Sequence, residues 1–305
     1  MRTYVAARLA TAVLVVLGVS LVSFLLTFLS GDPAEIMLPP GATAQQIAKF
    51  RADWGFDDPL FVQYWRFLRR AVHGDFGNSL RHGQPSLPLI VARLPATLQL
   101  TVTAMLLAIV LAVPLGVLAA TRRGGPIDLC AMGVALLGQS VPNFWLAIMM
   151  ILVFAVAWGL LPTSGRGGIA HVVMPAVAIA INLMALLTRL VRTTMIEVLA
   201  EDYVRTGRAK GLREVMVTAR HALPNALIPL VTVIGLQFGF ILGGAVVIET
   251  IFTWPGVGLF TIQAILNRDY PVVQASVFVL ATAVVLINLT VDLLYVWLDP
   301  RIRVG

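Results

Sequence analysis

Six stretches of this chain run for about 20 residues or more with almost no charge, near 9–29, 97–120, 129–158, 172–196, 226–248 and 272–298. A bilayer's hydrocarbon core, ~30 Å thick, is crossed by about 20 apolar helical residues. Inside it every backbone N–H and C=O must bond within the protein, so helices and closed barrels are the only solutions. Unbroken apolar runs of this length lack the alternation of a barrel strand. The chain is therefore read as an all-α polytopic membrane protein with six transmembrane helices. Composition agrees: 59% of residues are hydrophobic and 12% charged, with a mean hydropathy of +0.90. Soluble domains average about 45–50% and about 25%. An ordinary soluble enzyme, a disordered tail and a secreted disulfide scaffold are all excluded. Cys130 is the single cysteine, so neither an intrachain disulfide nor a cysteine-based zinc site is available.

The first run follows Arg2 and Arg8. It exceeds the 7–15 apolar residues typical of a secretory signal core and is read as a retained first span. The chain then divides into 1–30 (N-terminus and first transmembrane helix), 31–95 (a polar segment), 96–298 (a five-helix transmembrane core that includes a basic segment at 197–225) and 299–305 (C-terminus). Within 31–95, IAKFRADWGFDDPLFVQYWRFLRR has helical apolar spacing, while GDP, PPG and GDFGNS are turn signals. Two or three short helices in a small lobe outside the membrane are expected. Pro142, in GQSVPNF, predicts a kink or break in the third run, and Pro229 a kink in the fifth.

The net charge of +7 invites a nucleic-acid reading. The placement of the basic residues gives a simpler one. The short segments on the N-terminal side carry Arg2 and Arg8, Arg122 and Arg123, seven basic residues between 189 and 220, and Arg301 and Arg303. The short segments on the other side carry Arg166 and Arg268 alone. By the positive-inside rule both termini are cytoplasmic, with the lipid bilayer rather than nucleic acid as the charged partner.

Catalytic patterns are missing. There is no G-x-x-x-x-G-K-[ST] phosphate loop and no H-E-x-x-H, and His73, His82, His171 and His221 all fall outside the spans. No catalytic residue, cofactor site or metal site is assigned. Ionisable residues within spans are functional candidates by default. Here they are Asp128, Glu249 and Asp292, with Arg189 and Arg192 at a span end where snorkelling to the interface would suffice. The simpler reading of each is an interfacial or paired structural charge. Asn143, Asn182 and Gln237 are polar groups that need partners in lipid, and they are the candidate pathway residues. Gly235, Gly239 and Gly243, with Gly244 beside the last, put small residues on one helix face. That suits close helix packing, within the chain, at a subunit interface or beside a pathway.

The most patterned segment is 197–225, EVLAEDYVRTGRAKGLREVMVTARHALPN. Glu201 and Asp202 precede Arg205 at helical spacing. Gly207 and Gly211 interrupt, Leu212, Val215, Met216 and Ala219 resume the helical period, and Pro224 closes the stretch. It reads as helix, glycine turn, short helix. An amphipathic helix lying on anionic lipid would show the same pattern.

At these residues the chain resembles the permease subunits of bacterial ABC importers. Their general signature, Glu-Ala-Ala, three residues, Gly, nine residues, Ile, one residue, Leu-Pro, is half met. Gly211 takes the glycine, Arg205-Thr206-Gly207 the Glu-Ala-Ala, His221 the isoleucine and Leu223-Pro224 the Leu-Pro. The dipeptide, oligopeptide, nickel and glutathione branch, with D-Y-x-R-T-A-R-A-K-G-L followed by H-A-L-x-N-A, is met better. The chain has Asp202-Tyr203-Val204-Arg205-Thr206-Gly207-Arg208-Ala209-Lys210-Gly211-Leu212 and His221-Ala222-Leu223-Pro224-Asn225-Ala226. Gly207 departs from the usual alanine and Pro224 from the common arginine. Also matching are Gly31-Asp32-Pro33, Gly74-Asp75-Phe76-Gly77, Glu249-Thr250-Ile251-Phe252, Trp254-Pro255-Gly256-Val257-Gly258, Arg268-Asp269-Tyr270-Pro271 and Asp299-Pro300-Arg301-Ile302-Arg303.

The resemblance implies a type I ABC importer permease fold in the bacterial inner membrane, of the larger permease type, with 31–95 as a small periplasmic helical lobe. It implies a paralogous second permease subunit, one or two ATPase subunits that bind the ATP and Mg, and a periplasmic solute-binding protein. Tyr203, Arg205, Thr206, Gly207, Arg208, Ala209, Lys210, Gly211, Leu212 and His221 would then form the ATPase-coupling segment. The expected cargo is peptide, with nickel chelates or glutathione as alternatives. A self-contained secondary peptide carrier is the competing reading.

Overall fold

The computed structural model describes residues 2–29, 34, 38 and 41–298. Gly31-Asp32-Pro33, the 299–305 terminus and the side chain of Asp292 lie outside the described residues. Helices in chain order are α1 (Arg2–Leu29), α2 (Ala44–Trp54), α3 (Leu60–Val72), α4 (Ser86–Val91), α5 (Leu94–Thr121), α6 (Pro126–Ser140), α7 (Asn143–Met150), α8 (Ile169–Leu199), α9 (Asp202–Ala209), α10 (Glu214–Met216), α11 (Leu223–Ala226), α12 (Ile228–Ile251), α13 (Val257–Leu266) and α14 (Tyr270–Leu298). Two π-helical stretches extend them, Ile151–Ala157 after α7 and Val217–Ala222 between α10 and α11.

Among the described residues, five helical segments are long and apolar enough to span: Ala7–Leu25, Ser86–Thr121, Ile169–Leu199, Ile228–Ile251 and Tyr270–Val291. The third apolar run is a broken pair, Pro126–Ser140 and Asn143–Ala157, bent by 98°. Counted as one broken span it makes six. The break has a local cause. Pro142 lacks an N–H and crowds the residue before it out of the helical region, so Val141 (ψ 123°) and Pro142 (ψ 135°) are both extended.

Other sequence expectations are corrected by the structure. Pro229 stands in the first turn of α12, where the missing N–H costs no bond, and so starts that helix rather than kinking it. Pro224 likewise opens α11 instead of closing the segment before it. Gly207 lies inside α9 and interrupts nothing; the break comes at Gly211. The glycine face of α12 divides: a Cβ at Gly235 would sit 2.1 Å from Val291, so glycine is needed for α14 to approach there. At Gly243 and Gly244 a Cβ would meet nothing.

The chain forms two compact units, Met1–Thr97 with Pro255–Leu286, and Leu98–Trp254 with Ile287–Gly305. The first is built around Phe24, Phe67, Phe76, Ile90, Phe260 and Val272. Two short motifs about 190 residues apart in sequence meet in it. Asp269, almost fully buried, accepts from Ser79 Oγ (2.5 Å) and Leu80 N (3.1 Å). Gly77 lies against Pro271. In the second unit α6, α7 and α12 pack on α8. Asp128 and Arg192 form a two-bond ion pair (2.5 and 2.7 Å) that ties α6 to α8, and Gly124 N donates to the same carboxylate (2.9 Å). Arg192 is thus held by a protein partner rather than by snorkelling alone, and Arg189 donates to Gln139 Oε1 (2.8 Å).

Candidate functional site: a neutral cavity at the broken helix pair

The α6–α7 break opens a cavity of about 590 Å³. Asn143 enters it from the first turn of α7, Asn182 from α8 and Gln237 from α12. The three polar residues singled out from sequence therefore share one site, although 94 positions separate the first from the last. All three are half-buried, and two of them are bonded to each other. Asn182 Nδ2 donates to Asn143 Oδ1 and, more weakly, to the Val141 carbonyl at 3.4 Å. That carbonyl belongs to the extended residue of the break. Irregular backbone at membrane depth is tolerated where it is buried in protein or lines a cavity, and here it does line one.

Sequence reasoning missed Gln139 and Ser140, which complete the polar wall at the end of α6. The signal for them was available: both lie within one turn of the predicted break. Leu183, Ile179, Phe240 and Ile241 supply apolar wall, and Gly244 leaves space. Among the described residues no ionisable side chain lines the cavity, and the charge bonded to its wall is Arg189, on the lining Gln139. The lining offers amide donors and acceptors without net charge. Such a lining can hydrogen-bond a polar solute but gives no ion-pair energy with which to trap one.

The 197–225 segment is built the opposite way. Its core is three small apolar side chains, Val204, Val217 and Ala222, all with no exposure. At Gly211 the backbone turns with φ +76°, a region that costs an L-residue about 1–2 kcal/mol and glycine nothing. Arg208 bridges the turn, donating to Glu214 from Nε (3.1 Å) and Nη2 (2.6 Å). The guanidinium holds the Glu214 carboxyl below its ordinary range, and the carboxylate raises Arg208 in return. Asn225 Nδ2 donates to Tyr203 OH (2.9 Å) and to the His221 carbonyl (3.0 Å), which closes the segment on itself. Thr206 Oγ1 donates to the Asp202 carbonyl (3.0 Å). Arg205, Ala209, Lys210 and Gly211 are exposed and Leu212 half-buried. The structure adds Val215, 80% exposed, and Met216 to this surface. Both had been read from sequence only as carriers of the helical period.

Two family models cover nearly the whole chain. Residues 112–304 match the binding-protein-dependent transport system inner membrane component, and residues 1–101 match the N-terminal part of such membrane components. The dipeptide transport system permease protein DppB of Escherichia coli K12 is 40% identical over 336 aligned residues, covering 99% of each chain. The glutathione transport system permease protein GsiC of the same strain is 41% identical over 304, again covering 99% of each. Among solved structures, an inward-facing MetNI methionine ABC transporter superposes with a TM-score of 0.60 at 20% identity, over 69% of this chain and 96% of that one. At that identity the likeness shows the fold, which is the type I importer permease fold.

Proposed function

The chain belongs to the family of binding-protein-dependent transport system inner membrane components, and from that premise we propose that it forms the passage for short peptides in an ATP-driven importer. It is a multi-pass inner-membrane transporter subunit rather than an enzyme, and membership carries with it ATPase and binding-protein partners. Short peptide is the common chemistry of dipeptide and glutathione, the substrates in the relatives' names.

One observation carries the reading of the passage: Asn143, Asn182 and Gln237 converge on one uncharged cavity at a broken span. A peptide has N–H and C=O groups along its length and opposite charges at its ends. Neutral amides satisfy the former without holding the latter, so the solute is passed on rather than kept. Selection would rest with the binding protein.

The segment 197–225 is the proposed ATPase contact, with Tyr203, Arg205, Thr206, Gly207, Arg208, Ala209, Lys210, Gly211, Leu212 and His221, and with Val215 and Met216 at its exposed face. Its tight turn, internal ion pair and closed Tyr203–Asn225–His221 contact support this, because a segment that transmits motion must keep its shape under load. The positive-inside distribution supports cytoplasmic termini. A paralogous second permease and one or two ATPase subunits complete the proposed assembly.

The test is uptake of labelled dipeptide and labelled glutathione by cells lacking their own importers and expressing this chain with the subunits that co-purify with it. Dipeptide uptake that falls in Asn182→Leu and Gln237→Leu variants of normal abundance supports the proposal. Glutathione uptake alone narrows the cargo. Uptake of neither, by an assembled and ATP-hydrolysing complex, overturns the peptide reading.

A further inference from the structure

We infer that α3 (Leu60–Val72) is an interfacial helix, seated in the leaflet farther from Arg8 with Phe61, Trp65 and Val72 in contact with phospholipid. The inference does not depend on the cargo or on the coupling role of 197–225.

The depth comes from what α3 is bonded to. Tyr64 OH lies 2.8 Å from Ser20 Oγ and 3.3 Å from the Leu17 carbonyl. Phe24 packs on Tyr64 and Phe67, with ring centroids 5.6 and 5.8 Å apart. Those partners lie within the apolar span Ala7–Leu25. At 1.5 Å per residue, Ser20 is roughly 18 Å and Phe24 roughly 24 Å along the helix from Arg8. The hydrocarbon core is ~30 Å thick, so α3 is anchored at a level inside the membrane, not above it.

The surface of α3 fits that level. Gln63, Phe67 and Ala71 form its buried face. Phe61 (76% exposed), Trp65 (62%) and Val72 (76%) are spaced by four and seven residues and so share one uncovered stripe. Arg69 and Arg70, both exposed, lie on the remaining side. An apolar stripe with aromatic residues beside a row of arginines is the pattern of a helix lying in a headgroup boundary. In water, an exposed stripe of Phe and Trp would be an aggregation liability. Against phospholipid the stripe meets acyl chains and the guanidinium groups meet phosphate.

The test exploits the single native cysteine. In a Cys130→Ser background, Phe61→Cys, Trp65→Cys and Val72→Cys are spin-labelled one at a time, with Lys49→Cys on α2 as the aqueous control. All four positions are exposed, so the labels empty no core. The chain, with its co-purifying subunits, is placed in phospholipid nanodiscs. Relaxation by oxygen, which partitions into lipid, is compared with relaxation by a water-soluble nickel chelate. The expected result is oxygen-dominated relaxation at 61, 65 and 72 and chelate-dominated relaxation at 49. Chelate-dominated relaxation at all four puts the stripe in water and overturns the inference. Protection from both reagents at 61, 65 and 72 means that a protein surface covers the stripe, and also overturns it.

Discussion

The cavity at the α6–α7 break and the 197–225 segment solve opposite problems with the same kinds of residue. In the cavity, polar side chains from three helices line one space with apolar wall around them, and Asn182 donates to Asn143 across it. In the segment, polar and charged side chains turn outward around a small apolar core of Val204, Val217 and Ala222. The cavity carries no charge, and the segment concentrates it. The difference follows from the solvent each faces. Lipid offers no partner for a lone amide, so amides must find each other, whereas water tolerates every exposed guanidinium and makes each surface pair worth little. A site of the first kind is fragile to the loss of one hydrogen-bond partner, and one of the second kind is fragile to a change of backbone shape.

That contrast can be broken most directly at Gly211. Proline cannot adopt a φ of +76°, so Gly211→Pro is expected to abolish uptake while the chain remains at normal abundance in the membrane. Gly211→Trp should do the same by obstructing the exposed turn, where a Cβ meets nothing within the chain. Gly211→Asn, which tolerates this backbone region, should retain most activity. Normal uptake by the tryptophan variant would remove the coupling role from the segment.

The next effect belongs to the cavity. Asn182→Leu strands Asn143 Oδ1 and the Val141 carbonyl and should cost about 1–3 kcal/mol. The check is the thermal midpoint of the purified chain in detergent. A leucine variant as stable as the parent would mean that the amides are satisfied by water, and that the two regions differ less than their geometry implies.

Gly207 offers a smaller and opposite change. A Cβ there meets Leu212 and Val217 at 3.8 and 3.9 Å, which is ordinary contact. Gly207→Ala should therefore stabilise α9 by about 0.5–1 kcal/mol, as read by hydrogen exchange of 202–209. A loss of uptake would show that flexibility at Gly207 is used here.

The smallest effect is the pH response of Arg208–Glu214. Glu214 is lowered in the folded state, chiefly by the hydrogen-bonded guanidinium. Its contribution is complete above the ordinary glutamate value of 4.5 and is lost as pH falls through the lowered folded value. Both partners are well exposed, so about 0–1 kcal/mol is at stake. Proteolysis of 197–225 should be flat with pH through neutrality and rise in acid, and Glu214→Gln should remove the rise.

Much of this was legible in the chain. Apolar run length announced the spans, because a bilayer sets one length for any helix that crosses it. Pro142 announced the break, because a missing N–H and a crowded preceding residue act locally. Gly211 was read as a turn for the same reason. Gly207, Pro224 and Pro229 were misread, since the effect of glycine or proline depends on whether it falls inside a helix or in its first turn, and residue type does not state helix register.

What sequence by itself determined is whatever local chemistry or the bilayer imposes: the spans, the break, the turn, and the identity of the amides that must find partners in lipid. What only the tertiary structure decided is which distant residues meet. Asn143, Asn182 and Gln237 come to one cavity, Asp128 to Arg192, Asp269 to Ser79, and Tyr64 to Ser20 of α1. The reason is physical. Helix formation is paid within a few residues of chain, whereas a contact between helices depends on how their faces pack. That packing is a property of the whole bundle rather than of any segment in it.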